Sequence, residues 1–334
     1  MLTIPLSWLY TLGVVIRHSM FNRRLLPSFS VDTPTICVGN LAVGGTGKTP
    51  MVAYLVRLLQ ENGFRPAVLS RGYKRTSRGF VMADDYSSVE TLGDEMMQLH
   101  RTFPEVPIAV CESRVHGARQ LKRQVPEIDV IILDDAMQHR SIRCGFTVLL
   151  TAYDKLYIDD HMLPWGTLRD VPSRALVADA IVVTKCPNTI RPIDMRVVDN
   201  RLHLPTYQQL HFAGVEYASM EQEGVPLVLC GIAQPQYMFD YVCTLYPKAE
   251  LLAFRDHHRY SPKDIDAIIE RAKHFDFILT TEKDIQRLRT TPLIERLQAQ
   301  GKRLIALPIR MCFYSPHENF DKQIISYVRE NSRK

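Results

Sequence analysis

The chain has 334 residues, of which 46% are hydrophobic and 23% charged, and its formal net charge is +5. This composition is ordinary for a globular protein and excludes an intrinsically disordered chain, while the length allows two domains with separate cores. The seven cysteines form no C-x-x-C pair, which indicates reduced core thiols rather than disulfides or a cysteine metal site. The charge is mild, and no nucleic-acid partner is predicted.

The first 31 residues contain no acidic side chain and join an apolar stretch, ending at Ile16, to a basic fringe of Arg17, Arg23 and Arg24. As a helix, the stretch before Arg17 would reach only about 24 Å, short of the ~30 Å hydrocarbon core of a bilayer. The arginines follow the apolar residues, which disfavours a cleaved secretory signal. Residues 1–30 are therefore predicted to form a helix that either lies on a membrane surface or packs against the protein's own core.

Six short segments rich in valine and isoleucine, separated by helical sequence, follow within the first 200 residues. They are 35–40, 66–70, 107–111, 129–134, 146–151 and 180–185. Their length, their apolar character and their alternation with helical segments predict the buried strands of a parallel α/β sheet.

A polar stretch with several prolines, residues 187–225, interrupts this alternation and predicts a junction between two α/β units. A second series follows, with strands near 226–230, 250–254, 276–280 and 303–307 and an amphipathic helix at 317–330. We predict a first domain at 31–200 and a smaller C-terminal α/β domain at 201–334. The cleft between these two lobes is the expected place of the active site.

The segment between the first predicted strand and the next helix reads Val-Gly-Gly-Thr-Gly-Lys-Thr-Pro over residues 43–50. Small residues let backbone N–H groups curl around a phosphate, Lys48 reaches the outer phosphates, and the Thr49 hydroxyl can ligate Mg²⁺. The order of strand, loop and helix favours a nucleoside triphosphate site over a tight turn without a ligand. The residues predicted to bind the nucleotide here are Gly44, Gly45, Thr46, Gly47, Lys48 and Thr49.

This loop is an imperfect Walker A motif. Ala42 stands where the full pattern has a glycine, five residues before Gly47. Val43 replaces the signature lysine of the ParA/MinD class of ATPases, so a partitioning ATPase is disfavoured. The predicted fold class is α/β, with a P-loop NTPase-like parallel sheet domain and a second, smaller α/β domain that closes the cleft.

The predicted strand at 129–134 ends in paired carboxylates, Asp134 and Asp135. This is the form of a Walker B element, which holds Mg²⁺ directly or through water. A strand that ends in two aspartates can also be a polar turn, so the metal prediction depends on Lys48 preceding it in the same predicted sheet.

Asp94 opens a helical segment within Gly93-Asp94-Glu95. Acidic residues at a helix start often serve only as caps and as complements to the helix dipole. The functional alternative is a general base that takes a proton from an acceptor hydroxyl. The residues alone leave both interpretations open.

Cations follow two of the predicted strands, Arg71, Lys74 and Arg75 after the second and Arg169 after the fifth. Ligands of open parallel sheets bind at the carboxyl ends of the strands, so these cations are candidates for clamping phosphates. A solvated basic surface is the alternative, and it suits Lys74 and Arg75 better than the other two.

His257 lies in Asp256-His257-His258, a segment that could suggest a metal site. Adjacent histidine side chains diverge, and no further ligand completes a set at zinc spacing, so zinc is not predicted. His257 could face the cleft and tune a carboxylate there, or it could be a surface histidine.

In their common order these motifs resemble the tetraacyldisaccharide 4'-kinases, the lipid A 4'-kinases. The resemblance covers nearly the whole chain. It is carried by Val38-Gly39-Asn40, Gly44-Gly45-Thr46-Gly47-Lys48-Thr49-Pro50, Ser70-Arg71-Gly72-Tyr73, Gly93-Asp94-Glu95, Leu133-Asp134-Asp135-Ala136-Met137-Gln138-His139-Arg140, Leu168-Arg169-Asp170, Asp256-His257 and Thr281-Glu282-Lys283-Asp284.

The resemblance implies transfer of the ATP γ-phosphate to the 4'-hydroxyl of a tetraacylated glucosamine disaccharide 1-phosphate. The acceptor is an acylated lipid at the cytoplasmic face of the bacterial inner membrane, which favours a membrane-surface role for residues 1–24. A monomer is expected.

The matched motifs also imply roles for individual side chains. Asp94 is expected to be the base, and the family usually has a glutamate where Asp170 stands. Lys48 and Thr49 are expected to bind the phosphates and Mg²⁺, and Asp134 and Asp135 the metal. His257 is expected to assist the base, and Gln138 and Arg169 to line the site.

Two other classes remain as alternatives. A regulatory GTPase or metallochaperone would carry an Asn/Thr-Lys-x-Asp element, and Thr184-Lys185 begins one, but Pro187 replaces the carboxylate that pairs with guanine. A soluble kinase of small molecules fits the P-loop but leaves the N-terminal apolar segment without a use.

Overall fold

The computed structural model describes residues 3–315 and 317–332. The strands are β1 (Thr35–Asn40), β2 (Pro66–Ser70), β3 (Val81–Met82), β4 (Ile108–Val110), β5 (Val130–Asp134), β6 (Phe146–Ala152), β7 (Ala180–Thr184), β8 (Gln209–Tyr217), β9 (Pro226–Cys230), β10 (Glu250–Ala253), β11 (Phe277–Thr281), β12 (Leu304–Leu307) and β13 (Ile309–Ser315). The helices are α1 (Thr3–Asn22), α2 (Lys48–Glu61), α3 (Val89–Leu92), α4 (Asp94–Thr102), α5 (Arg114–Gln124), α6 (Pro192–Leu202), α7 (Gln236–Leu245), α8 (Pro262–Ala272), α9 (Glu282–Leu288), α10 (Leu293–Gln298) and α11 (His317–Asn331).

Nine of the described strands form one sheet in the order β13-β8-β7-β6-β1-β5-β2-β4-β3. β1 pairs in parallel with both β5 and β6, so that Cys37 lies opposite Leu133 on one side and Thr147 on the other. The edge strands β3 and β13 are antiparallel to their neighbours. The predicted α/β class is confirmed, and the carboxyl ends of β1, β2 and β5 meet at one edge of the sheet.

Helices cover both faces of this sheet because its central strands are apolar on both sides. One face packs against α2, α4 and α11, which contribute Val52, Leu99 and Ile324 to the core. The other face packs against α5 and α6, which contribute Ala118 and Val198. Burial at every residue of β1 and β5 explains why both strands are almost uninterrupted apolar runs.

A second, smaller sheet is parallel throughout, in the order β10-β9-β11-β12. Helices α8 and α10 cover one face, with Ile268 and Leu297 fully buried. Helix α7 covers the other face through Met238 and Val242. This sheet supplies an independent hydrophobic core for the second lobe.

The predicted domain boundary at residue 200 does not separate the two sheets, because strands after residue 200 belong to both. Strand β8 pairs in parallel with β7, and β13 pairs with β8, so both belong to the large sheet. Helix α11 also packs on the large sheet, with Phe320 and Val328 in its core. The small sheet is therefore confined to 226–307, because the chain enters it from β8 and returns from it into β13.

Helix α1 lies on the surface of the large lobe and contacts it through polar side chains. The Ser7 hydroxyl donates to the Met162 carbonyl at 2.8 Å, and His18 Nε2 lies 2.5 Å from Asp170 Oδ1. Most of its apolar side chains face outward, with Trp8 71% exposed, while Val14 packs against the core of the large lobe. No helix in the described ranges is long and apolar enough to span a membrane.

Candidate active site

The glycine loop at residues 43–50 joins β1 to α2, as the sequence predicts. Gly44 and Gly47 have φ angles of 111° and 86°, a region that favours glycine, and α2 begins directly after Gly47. The Thr184 hydroxyl donates to the Thr46 carbonyl at 2.8 Å and fixes the loop against β7. The N–H groups at the start of α2 have no partner within the helix, so together with the loop they provide donors for an anion.

Two cations meet at the carboxyl end of β1. Lys48 Nζ lies 3.4 Å from Asn40 Oδ1 and 3.9 Å from Asp135 Oδ1. Arg169 donates from both terminal nitrogens to the Asp135 carboxylate, one of them at 2.8 Å, and also to Asn40 Oδ1. Burial would raise the pKa of Asp135, but Arg169 and Lys48 lower it below its ordinary value. Phosphate groups are the ligands that such paired cations suit.

Asp134 has the features of a cation ligand more clearly than Asp135. Its side chain is buried, Oδ2 accepts from the Ser70 hydroxyl at 2.9 Å, and Oδ1 has no hydrogen-bond partner. Burial, Glu95 and Asp135 raise the pKa of Asp134 to about 7. A buried carboxylate oxygen without a partner, surrounded by other carboxylates, fits a divalent cation. Both oxygens of Asp135, by contrast, already accept from Arg169.

The described residues contain no group of three His, Cys, Asp or Glu side chains that could by itself hold a metal ion. Mg²⁺ in phosphoryl-transfer sites takes one or two carboxylates, a hydroxyl, waters and phosphate oxygens. Asp134, with Thr49 as the second protein ligand, fits that donor set.

Three residues of the site were not among the predicted site residues. Asn40 is fully buried, and its backbone carbonyl accepts from Gln138 Nε2 at 2.6 Å. Its side chain is hydrogen-bonded to Arg169 and to Thr46 of the glycine loop. Arg114 is also buried and donates to the carbonyls of Cys111 and Asp134, at 2.8 and 3.3 Å. A Cβ at Gly39 would lie 2.6 Å from the Met137 Cβ, so only glycine allows this approach of β1.

The sequence signal for these three residues was weak. Asn40 and Gly39 were visible only as part of the Val-Gly-Asn motif that ends the first strand. Arg114 is one of several basic residues in a helical segment, and nothing in the sequence indicates that its guanidinium is buried.

Asp94 and His257 come together from the two lobes. Asp94 begins α4 and is 4% exposed, and its Oδ2 lies 2.9 Å from His257 Nδ1 and 3.4 Å from Arg287 Nε. Burial would raise the pKa of Asp94, but the hydrogen bond from His257 and the charges of Lys283 and Arg287 outweigh it and lower that pKa to about 2. Asp94 is therefore an ionised carboxylate throughout the neutral range.

The Asp94 side chain and the Asp134 side chain face the same cleft. Ser70, which donates to Asp134, lines a small cavity together with Asp94 and Glu95. Glu95 is also close enough to Asp134 to raise its pKa. One candidate site thus contains the glycine loop, Asp134 as the candidate metal ligand, and the pair formed by Asp94 and His257.

Other residues singled out from the sequence have structural contacts. Arg75 pairs with Glu112 at 2.5 Å, so it is neither a solvated cation nor free to bind a ligand. His258 lies 3.0 Å from Asp264, away from His257. Asp170 holds α1 through His18, which is a docking role.

The glycine loop follows a parallel strand and has cations around it, and a buried carboxylate lies across the cleft. This combination is typical of P-loop phosphotransferases.

Comparison with known proteins agrees with this class. The family model described as "Tetraacyldisaccharide-1-P 4'-kinase" matches residues 1–329. Proteins named tetraacyldisaccharide 4'-kinase from Flavobacterium johnsoniae and Bacteroides thetaiotaomicron are 43% and 40% identical to this chain, over 98% of its length and 96% and 93% of theirs. The chain belongs to the tetraacyldisaccharide-1-P 4'-kinase family and is a kinase, so the predicted family is confirmed.

A solved structure supports the same assignment. The crystal structure of LpxK from Aquifex aeolicus in complex with ATP matches with a TM-score of 0.73 and 26% identity. The match covers 97% of this chain and 98% of that chain. The similarity therefore includes both lobes and the surface helix.

Proposed function

We propose that this protein phosphorylates the 4'-hydroxyl of tetraacyldisaccharide 1-phosphate with ATP, giving the bisphosphorylated lipid IVA in lipid A biosynthesis. The names of the relatives and the ATP complex of the Aquifex aeolicus protein support the two substrates. The observation that carries the proposal is the position of Asp94, a buried ionised carboxylate across the cleft from the glycine loop.

The nucleotide is bound by the loop and by the cations around it. Backbone N–H groups at 44–49 donate to the phosphates, and Lys48 contacts the outer phosphates. Arg169, which is hydrogen-bonded to Asp135, lies close enough to contact the same phosphates. Thr49 and Asp134 would hold Mg²⁺, and Asp135 would contribute through its contact with Arg169 and Lys48. The ion would supply neutralisation of the phosphate charge.

Asp94 is the general base in this proposal. All of its contacts with His257 and Arg287 involve Oδ2, which leaves Oδ1 for the acceptor hydroxyl. Asp94 takes the hydroxyl proton as the 4'-oxygen bonds to the γ-phosphorus, and the bond from that phosphorus to the β,γ-bridging oxygen breaks to release ADP. His257 orients the carboxylate by donating to Oδ2.

The outward-facing apolar side chains of α1 support attachment to the lipid surface where the acceptor resides. An enzyme that uses ATP and an acylated acceptor works where both are present, at the cytoplasmic face of the inner membrane. We propose peripheral, monotopic attachment through α1 and a monomeric enzyme, with the acylated disaccharide and the membrane surface as its partners.

The test is incubation of the purified protein with γ-labelled ATP, Mg²⁺ and detergent-dispersed tetraacyldisaccharide 1-phosphate, followed by chromatography of the lipid. Label should enter the lipid, and a matched lipid already phosphorylated at the 4'-position should remain unlabelled. ATP turnover without labelled lipid would contradict the proposed acceptor.

Two variants connect this assay to the site. Lys48→Ala should abolish transfer because the outer phosphates lose their cation. Asp94→Asn should lower kcat about 10²- to 10⁴-fold while the Kd for ATP stays near its original value. A wild-type kcat in Asp94→Asn would reject Asp94 as the base.

A further inference from the structure

The Thr-Glu-Lys-Asp segment at 281–284 contains one residue that faces the site. Thr281 caps α9, with its Oγ1 accepting from the Asp284 N–H at 2.9 Å, and buried Asp284 accepts from the Gly231 N–H at 2.9 Å. Glu282 accepts from the Ile309 N–H at 3.3 Å. These three side chains shape the segment, whereas Lys283 extends from it toward His257.

Lys283 touches the nitrogen of His257 that Asp94 does not use. Its Nζ lies 3.1 Å from His257 Nε2, and the Glu95 and Asp256 carboxylates lie 3.5 and 3.7 Å away. Both carboxylates pair with its ammonium group. An ammonium has three donors and no acceptor, so Nε2 has to be the acceptor in this contact.

The acceptor role of Nε2 determines where the imidazole carries its proton. A neutral imidazole has one N–H and one lone pair, so a proton on Nδ1 follows when Nε2 accepts from Lys283. Nδ1 lies 2.9 Å from Asp94 Oδ2 and donates to it. A proton on Nε2 would instead set two donors against each other 3.1 Å apart.

The ring is also held in place from other directions. The His257 N–H donates to the Gly231 carbonyl at 3.2 Å, and the Tyr73 ring meets the imidazole edge-on with centroids 5.3 Å apart. These contacts restrict the position of the ring but do not distinguish its two nitrogens. Among the described residues that touch the imidazole, Asp94 on the Nδ1 side and Lys283 and Asp256 on the Nε2 side make that distinction.

We propose that Lys283 is a positioning residue, which holds His257 in the neutral tautomer with its proton on Nδ1 so that the ring donates to Asp94. This inference rests on the proposed function, in which Asp94 takes the proton of the acceptor hydroxyl. Without Lys283, Nε2 is open to a second proton, because Asp256 Oδ2 lies 3.8 Å away as an acceptor, while Nδ1 keeps its proton toward Asp94.

The direct test reads the tautomer by NMR. Protein labelled with ¹⁵N-histidine is compared as wild type, as Lys283→Met and as Lys273→Met, an exposed lysine on the small lobe that pairs with Glu270. His257→Gln identifies the His257 signals. The wild type and Lys273→Met should show His257 protonated on Nδ1 alone, and Lys283→Met should show a proton on Nε2 as well. An Nε2–H tautomer in the wild type, or no change in Lys283→Met, overturns the proposal.

Kinetics separate positioning from a direct contact with substrate. Lys283→Met should lower kcat about 10- to 100-fold, less than loss of the base itself, with the KM for ATP within about twofold of wild type. Lys283→Arg, which also only donates, should recover part of the loss. A raised KM for ATP with an unchanged kcat would assign Lys283 to phosphate binding and overturn the proposal.

The failure of the proposed function can be told apart from the failure of this inference. A wild-type kcat in Asp94→Asn would reject the base, yet the NMR signals of His257 do not depend on turnover. ATP binding by Lys283→Met, measured by calorimetry, shows that this variant is folded. The Lys283→Gln variant provides a second test of the tautomer with a polar side chain of similar length.

Discussion

Asp94 illustrates how neighbours rather than burial decide the state of a side chain. A carboxylate that is 4% exposed would ordinarily be harder to ionise. One imidazole and two cations from the small lobe reverse that effect and lower the pKa of Asp94 to about 2. The ionised form is therefore part of what holds the folded state together.

This shift predicts a pH-dependent contribution to stability. The folded pKa of Asp94 is below its ordinary value of 3.8, so ionised Asp94 stabilises the fold above about pH 4, and this stability is lost as the pH falls toward 2. The difference corresponds to about 2 kcal/mol at neutral pH. Urea unfolding of the wild type and Asp94→Asn between pH 7 and pH 3 should show the wild type more stable at neutral pH and the gap narrowing with acid.

Asp266→Asn is the matched control for that measurement. Asp266 is 67% exposed and pairs with Arg296 on the surface of the small lobe, so it should give a small difference at every pH. A gap for Asp94→Asn that stays constant from pH 7 to pH 3 would contradict the pKa of Asp94.

The residues of the site were predictable to different degrees. The glycine loop was predictable because its chemistry is local, with every residue within one strand-loop-helix segment. The pairing of Asp94 with His257 joins positions 163 apart in the chain, and no local pattern shows it. Arg114 and Asn40 were missed because their roles depend on burial by distant strands.

At the scale of elements, α1 presents a reversed pattern for a surface helix. The face that packs on the protein carries Ser7 and His18, and the face exposed to solvent carries leucine, isoleucine and tryptophan side chains. Burial of such a face in a lipid surface stabilises the attached state by roughly 25 cal/mol for each Å² of apolar area removed from water. This arrangement favours the membrane-surface interpretation over a core helix.

Acidic substitutions on this face should release the protein from membranes. Leu9, Leu12 and Ile16 lie on one stripe of α1 and are 66%, 56% and 51% exposed. Replacing all three by glutamate should move the protein from the membrane fraction to the supernatant, because charged side chains resist burial in the interface. Sedimentation with vesicles of bacterial phospholipid measures the distribution.

The control places the same three charges elsewhere. Ile193, Val197 and Leu245 are similarly exposed apolar residues of α6 and α7, and their change to glutamate should leave the distribution unaltered. Equal release by both triple variants would show that net charge, rather than α1, controls attachment.

The strands of the sheet show which elements a sequence can reveal. Strands buried on both faces, such as β1, β2 and β5, were predicted because their apolar runs need no partner to be recognised. The exposed ends of β8 and its antiparallel partner β13 remove that signal. Their pairing joins chain segments about 100 residues apart, and the predicted boundary at residue 200 therefore differs from the sheet boundary.

At the scale of the whole molecule, two cores are joined so that both lobes contribute side chains to the proposed active site. The large lobe holds the glycine loop, Asp134 and Asp94, and the small lobe supplies His257 and Lys283. Helices α4 and α9 form one of the contacts between the lobes, where Arg101 donates to Gln286 and Gln98 Nε2 lies 3.4 Å from Glu282 Oε2. The helix that begins with Asp94 is thus the helix that meets the other lobe.

Weakening this contact should slow transfer without weakening nucleotide binding. Arg101→Ala removes a partly buried hydrogen bond between the lobes, worth about 0.5 to 1.5 kcal/mol, so kcat should fall roughly two- to tenfold. The Kd for ATP should not change, because the glycine loop, Lys48 and Arg169 all belong to the large lobe. Arg296→Ala, which breaks a surface pair within the small lobe, is the control and should retain the wild-type kcat. If Arg101→Ala instead raised the Kd for ATP at constant kcat, the lobe contact would serve nucleotide binding rather than assembly of the Asp94 and His257 pair.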